Sequence, residues 1–194
     1  MCHIDYTNPF YNHPQTYQLS ICKPQNFTEG FEKVSFEQYY SKRKEWITEE
    51  KAALEYLNIK IPTRATKGSA GYDFASPYFF KLIPQESIKI SLGIKAFMGN
   101  NLKLEMLIRS SLAFKFDVSL SNCVGLIDSD YYGNIENEGH IMVKLTHKGE
   151  IGSPSLEVNA GDYICQGILG EYITTTNDIP RSEVRAGGIG STDK

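Results

Sequence analysis

Asn122, Asp128 and Tyr131 stand close together in the run Asn122-Cys123-Val124-Gly125-Leu126-Ile127-Asp128-Ser129-Asp130-Tyr131-Tyr132-Gly133. An amide, a carboxylate and an aromatic ring on one short element can grip a base, hold a water and cover a sugar. The Asn122 side chain offers one donor and one acceptor face. Asp128 follows Leu126 and Ile127, which places its carboxylate in a partly desolvated wall, where it can be tuned as a general base. Asn122 and Gly133 are turn formers around apolar Val124, Leu126 and Ile127, so the run predicts a β-hairpin or tight strand–turn–strand with acids at its tip. The same residues also read as a surface Asp-Ser-Asp turn with a buried tyrosine, and the motif alone leaves both open.

The elements that must position this run are short. From Ile59 onward apolar stretches such as 78–83, 88–90, 94–98, 102–108, 140–145 and 163–168 are punctuated by Pro, Gly and Asn. That spacing predicts an all-β sandwich or barrel. Upstream, Ser35-Phe36-Glu37-Gln38 has the form of a capping box, and Phe36, Tyr39, Tyr40, Trp46, Ile47, Leu54 and Leu57 recur at helical spacing. They predict one amphipathic helix over 36–57, ending at Asn58, either docked on its own subunit or offered to a protein partner. Residues 1–34 read as irregular but rich in aromatics, which suits a segment that packs on something. The chain therefore divides into an N-terminal extension, 1–58, a β-domain, 59–180, and a glycine-rich C-terminal arm, 181–194.

Composition excludes several classes. A net charge of −3 gives no basic field for nucleic acid. No apolar run approaches the ~20 residues of a membrane helix, and no signal peptide opens the chain. Cys2, Cys22, Cys123 and Cys165 form no CxxC pair and read as free thiols of a reducing cytoplasm. Cys2, His3, His13 and Cys22 match no common zinc spacing.

Four further segments accompany the first run. They are Arg64-Ala65-Thr66-Lys67-Gly68-Ser69-Ala70-Gly71-Tyr72-Asp73, Arg109-Ser110-Ser111-Leu112-Ala113, Gly161-Asp162-Tyr163-Ile164-Cys165-Gln166 and Arg185-Ala186-Gly187-Gly188-Ile189-Gly190-Ser191-Thr192. In this order, over residues 59–192, the five blocks resemble the five sequence boxes of the homotrimeric dUTP pyrophosphatases (dUTPases). The resemblance implies a dUTPase-like β-barrel or jelly roll carrying an N-terminal helical extension. It also implies hydrolysis of dUTP to dUMP and pyrophosphate, which limits uracil in DNA and supplies dUMP for dTMP synthesis. A homotrimer with shared active sites and Mg²⁺ as cofactor come with it.

Residue by residue, the resemblance makes Asp128 the acid that orients and deprotonates the attacking water. Asn122 and the backbone of Gly125, Leu126 and Ile127 meet uracil, and Tyr131 lies under the deoxyribose. Arg109, Ser110 and Ser111 grip phosphates, and Gln166 stands near the attacked phosphorus. Asp73 meets Mg²⁺ through water, or is purely structural. In the arm, Arg185, Gly188, Ser191 and Thr192 hold the γ-phosphate, while Ile189 covers the uracil ring in a place where many members carry an aromatic. Tyr163 replaces a common basic residue, and 134–140 lengthens the loop after the hairpin. His140 in that loop reads as a solvated side chain rather than a base. The competing readings are a dCTP deaminase-like enzyme, which shares an Arg-Ser-Ser box, and a regulatory module that binds a partner through 1–58.

Overall fold

A computed structural model describes residues 29–180 and Gly187. Twelve strands and three short helices are assigned among them. β2 (Thr63–Arg64), β3 (Tyr72–Ala75), β12 (Tyr163–Glu171), β7 (Leu102–Ile108) and β9 (Gly125–Asp128) form one sheet in that order. β5 (Ser87–Ser91), β10 (Met142–His147) and β8 (Val118–Leu120) form a second. β11 (Leu156–Val158) pairs β4 (Phe80–Leu82), and β1 (Gly30–Lys33) pairs β6 (Ile94–Phe97). All of these pairings are antiparallel. The all-β jelly-roll expectation holds.

Period-2 alternation decides which side chains face inward. In β7, Leu104 and Met106 are buried, while Lys103 and Glu105 point the other way and pair at 2.7 Å. In β10, Val143, Leu145 and His147 are buried and Lys144 is exposed. The two sheets meet over Phe74, Leu104, Leu120, Ile141, Leu145 and Ile164. Each such aliphatic or aromatic side chain contributes about 1.5–3 kcal/mol by leaving water. No helix among the described residues is long and apolar enough to cross a membrane.

Three expectations are corrected. The run at 122–133 is not a hairpin: β9 is its one strand, and the next strand, β10, starts only at Met142 and belongs to the other sheet. Asp128 ends β9, and a 3-10 turn, Ser129–Tyr131, follows it. The helix over 36–57 is two helices, α1 (Phe36–Ser41) and α2 (Glu49–Leu57). Thr48 caps α2 by accepting from the Lys51 amide, and the intervening turn folds α2 back on α1. Arg43 in that turn points inward, 2.9 Å from Glu55 and 3.6 Å over the Tyr78 ring. Tyr39 and Ala52 dock on the body, whereas Trp46, Leu54 and Leu57 are exposed, so the helical stripe is not one face.

The third correction concerns the segment before α1, which is partly regular. β1 extends the β6 edge with Gly30 opposite Phe97, and a Cβ at Gly30 would lie 2.5 Å from that ring. Phe31 packs edge-on against Tyr72 and Phe74, and Val34 joins the core. The candidate zinc set at Cys2, His3, His13 and Cys22 lies outside the described residues.

Candidate active site

β9 positions the principal group. Its pairing with β7 aligns Gly125 with Met106 and Asp128 with Lys103. Gly125 lies so close to Met106 that an added Cβ would stand 3.1 Å from that side chain. Asn122, Gly125, Leu126, Ile127, Asp128 and Tyr131 all line one pocket of about 480 Å³. That is an ordinary size for a small-ligand site. Leu126 is exposed, Asp128 is half-buried at the mouth and Tyr131 is buried. The walls therefore offer an amide, a carboxylate, backbone groups of a strand end and a phenol ring.

The opposite wall was not foreseen from the sequence. Met142 and Lys144 of β10 and Lys89 of β5 complete the pocket. Lys89 stands directly across from Lys144 in the ladder, an arrangement of like charges that is unfavourable by itself. The signal was present in the alternation of β10, which sends Met142 and Lys144 to one face.

A second group lies apart from this pocket. Arg109 opens α3 (Ser110–Phe116), with Ser110 and Ser111 exposed in its first turn. Arg109 Nε stands 3.4 Å from Asp73 Oδ1, and its guanidinium lies 5.6 Å over the Tyr163 ring. Lys60 Nζ approaches the same ring at 5.6 Å, so the tyrosine found in place of a basic residue packs between two cations. Gln166 is opposite Asp73 in the β3–β12 ladder. A Cβ at Gly71 would lie 2.8 Å from Gln166 Oε1, so the Gly71 backbone reaches that side chain closely. None of Asp73, Arg109, Ser110, Ser111 and Gln166 lines the pocket of Asp128.

The separation follows from the strand. Arg109 lies six residues beyond Lys103, the residue opposite Asp128, which is roughly 20 Å at ~3.4 Å per residue. One copy of the chain does not bring the carboxylate and the Arg-Ser-Ser group together.

Of the arm, only Gly187 is described. It is buried, and an added Cβ would run into the Glu136 carboxylate of loop 134–140. Arg185, Gly188, Ile189, Ser191 and Thr192 lie outside the described residues. Loop 134–140 itself is firmly packed. His140 is fully buried, with Nε2 accepting from the Gly93 amide at 2.9 Å. Burial, with Lys42 adding to it and Glu138 opposing, pulls its pKa down to about 4. The ring is neutral and structural, neither solvated as expected nor placed in the pocket.

No group of three or more His, Cys, Asp and Glu side chains that could hold a metal occurs among the described residues. Asp73 is a single carboxylate already paired with Arg109.

Comparison with known proteins bears out the fold and gives the family. A family model described as dUTPase matches residues 57–193. The deoxyuridine 5'-triphosphate nucleotidohydrolase of Lactococcus lactis is 36% identical over 135 residues, 69% of this chain and 88% of that protein. Its counterpart from Coxiella burnetii is 36% identical over 138 residues, 68% of this chain and 85% of that protein. Among solved structures, the dUTPase of Streptococcus mutans superposes with a TM-score of 0.59 at 27% identity, covering 76% of this chain and 99% of that one. A mutant dUTPase from phage phi11 of S. aureus, whose structure details a structural Mg(II) ion, shares the fold with a TM-score of 0.52 at 21% identity, covering 67% of this chain and 95% of that one. An all-β jelly-roll fold with a pocket of ordinary small-ligand size is the class these features define. The chain belongs to the dUTPase family.

Proposed function

We propose that this protein hydrolyses dUTP to dUMP and pyrophosphate, removing a source of uracil in DNA and supplying the precursor of dTMP. The observation that carries the reading is the convergence of Asn122, the Gly125–Ile127 backbone, Asp128 and Tyr131 on one pocket, in a chain of this family. Asn122 and the β9 backbone read the uracil edge with paired hydrogen bonds. Cytosine would leave those groups unpaired, which costs far more than a missing methylene. Tyr131 lies under the sugar and rejects a 2′-hydroxyl sterically.

Asp128 accepts a proton from water as that water's oxygen forms a bond to the α-phosphorus. The bond from that phosphorus to the bridging oxygen breaks, and pyrophosphate leaves in line. Positioning and charge stabilisation supply most of such a rate. Asp73 is the carboxylate that would meet the water shell of a Mg²⁺ carried by the triphosphate, and such an ion would offset the phosphates' charge. Arg109, Ser110 and Ser111 supply a planar fork and hydroxyl donors for the phosphates.

Arg109, Ser110 and Ser111 come from a different copy than Asp128, since one chain holds Arg109 and Asp128 roughly 20 Å apart. A cyclic homotrimer with three shared sites satisfies this requirement. The arm, 181–194, closes each site and excludes water, Ile189 covering the base and Arg185, Gly188, Ser191 and Thr192 the terminal phosphate. A cytoplasmic setting accords with the free thiols at Cys123 and Cys165.

The decisive test is product analysis of the full-length protein with each deoxynucleoside triphosphate. Pyrophosphate from dUTP and no ammonia from dCTP is the expected result. Ammonia from dCTP would assign a deaminase instead, and neither product would leave a binding module.

A further inference from the structure

Tyr131 is gripped at both ends by one loop. Its hydroxyl donates to the His140 carbonyl at 3.1 Å and accepts from Asn137 Nδ2 at 2.9 Å. Its own carbonyl accepts from Asn134 Nδ2 at 2.7 Å, and Asn134 Nδ2 also donates to Asn137 Oδ1 at 2.7 Å. The Gly139 amide donates to Asn137 Oδ1 at 3.0 Å. Asn134 and Asn137 are 8% and 6% exposed, so these bonds are made out of water, where leaving one unmade is costly. None of these four loop residues lines the pocket.

The outer side of the loop is held by the segment that precedes the barrel. The Ser35 amide donates to Glu138 Oε2 at 3.0 Å, and the Ser35 hydroxyl donates to Glu138 Oε1. Glu138 thus takes the place that the capping-box partner on α1 would fill, while Gln38 Nε2 lies 3.4 Å from His140 Nδ1. Lys95 Nζ adds a contact to Glu138 at 3.3 Å. Tyr132, next to Tyr131, donates to Glu32 of β1 at 2.8 Å.

We propose that Asn137 is a positioning residue for nucleotide recognition: it fixes the Tyr131 ring against the sugar, and residues 29–58 hold Asn137's loop in place through Ser35 and Glu138. The proposal rests on the reading of Tyr131 as the sugar platform. A ring excludes a 2′-hydroxyl only while it does not recede. Two buried bonds on the phenol oxygen remove that freedom, and a site loosened by an ångström loses discrimination. Residues 29–58 are then part of the selectivity apparatus, although none of them lines the pocket.

The test compares kcat and KM for dUTP and for UTP in full-length wild type, Asn137→Ala, Glu138→Ala and Tyr131→Ala. Asn137→Ala is expected to raise KM for dUTP about tenfold, keep kcat within about threefold and cut the dUTP-over-UTP ratio of kcat/KM about tenfold. Glu138→Ala moves the same ratio in the same direction by a smaller factor. A wild-type ratio in Asn137→Ala, with the ratio lost in Tyr131→Ala, overturns the proposal alone. A wild-type ratio in Tyr131→Ala overturns the reading beneath it. Should Asn137→Ala not fold, Tyr131→Phe removes both bonds and keeps the ring; an unchanged ratio there also overturns the proposal.

Discussion

Asp128 and Arg109 stand at opposite ends of β7. Asp128 faces Lys103 near the start of β7, and Arg109 follows that strand's last residue, Ile108. No side chain spans that length, so a phosphate chain that meets both lies between two copies. Mixing inactive Asp128→Asn and Arg109→Ala chains by co-refolding is therefore expected to restore activity, up to about a quarter of wild type for random assembly of a cyclic oligomer. Pyrophosphate release from dUTP measures it. A mixture as inactive as its components would place both residues in one subunit's site.

Much of this was legible in the sequence, for definite reasons. Apolar runs cut by Gly, Pro and Asn marked most of the barrel strands, because period-2 burial writes itself directly into residue order. Asn122, Gly125–Ile127, Asp128 and Tyr131 were readable as one group since they are neighbours in the chain and share one pocket. What local pattern does not contain is pairing across the fold. β9 pairs β7, and no strand follows it before Met142, so the expected hairpin with acids at its tip does not form. β1 is only four residues long, and its reason to be a strand is the β6 edge. The break between α1 and α2 depends on Arg43 reaching Glu55 and Tyr78. His140 looked solvated because the residues that bury it lie on other elements, such as Tyr39 and Gly93.

The ion pair of Arg43 and Glu55 is nearly buried and also receives the Tyr39 hydroxyl at 2.9 Å. Removing one partner leaves the other charge in a dry setting. Glu55→Ala is expected to destabilise the fold by about 3–5 kcal/mol. Urea unfolding of the variant beside wild type measures it, and a loss under 1 kcal/mol, the usual ceiling for an exposed pair, would contradict it.

His140 makes stability depend on pH in a definite window. Its pKa lies at about 4 against an ordinary 6.5, because burial opposes the charged ring. Above pH 6.5 both folded and unfolded chains carry it neutral, and its full contribution is present. Between pH 6.5 and about 4 the unfolded chain takes a proton that the folded chain refuses, so stability falls as pH falls. The loss reaches roughly 3 kcal/mol at the lower end. Burial would raise Glu138, but Ser35 and Lys95 outweigh it and hold this carboxylate below 4.5, so its loss adds only at more acid pH. Urea midpoints at pH 7 and pH 5 should differ less for His140→Gln than for wild type. Equal differences would remove His140 from the account.

Gly139 and Gly133 both take positive φ, at +86° and +70°. A Cβ on Gly139 would lie 2.7 Å from the Tyr131 carbonyl, whereas one on Gly133 meets nothing within 4 Å. Gly133→Ala is expected to cost about 1 kcal/mol from backbone strain alone. Gly139→Ala is expected to cost more, up to about 3 kcal/mol, and to raise KM for dUTP because the clash falls on the sugar platform. Thermal melts and steady-state kinetics on both variants separate the two effects, and equal behaviour would contradict the close approach.

The chemistry assigned to Asp128 is tested most directly by Asp128→Asn, which keeps the shape of the side chain and removes the base. Turnover of dUTP is expected to fall by about 10²–10⁴-fold while affinity for a non-hydrolysable dUTP analogue stays within about threefold. Wild-type turnover in that variant would contradict the assignment.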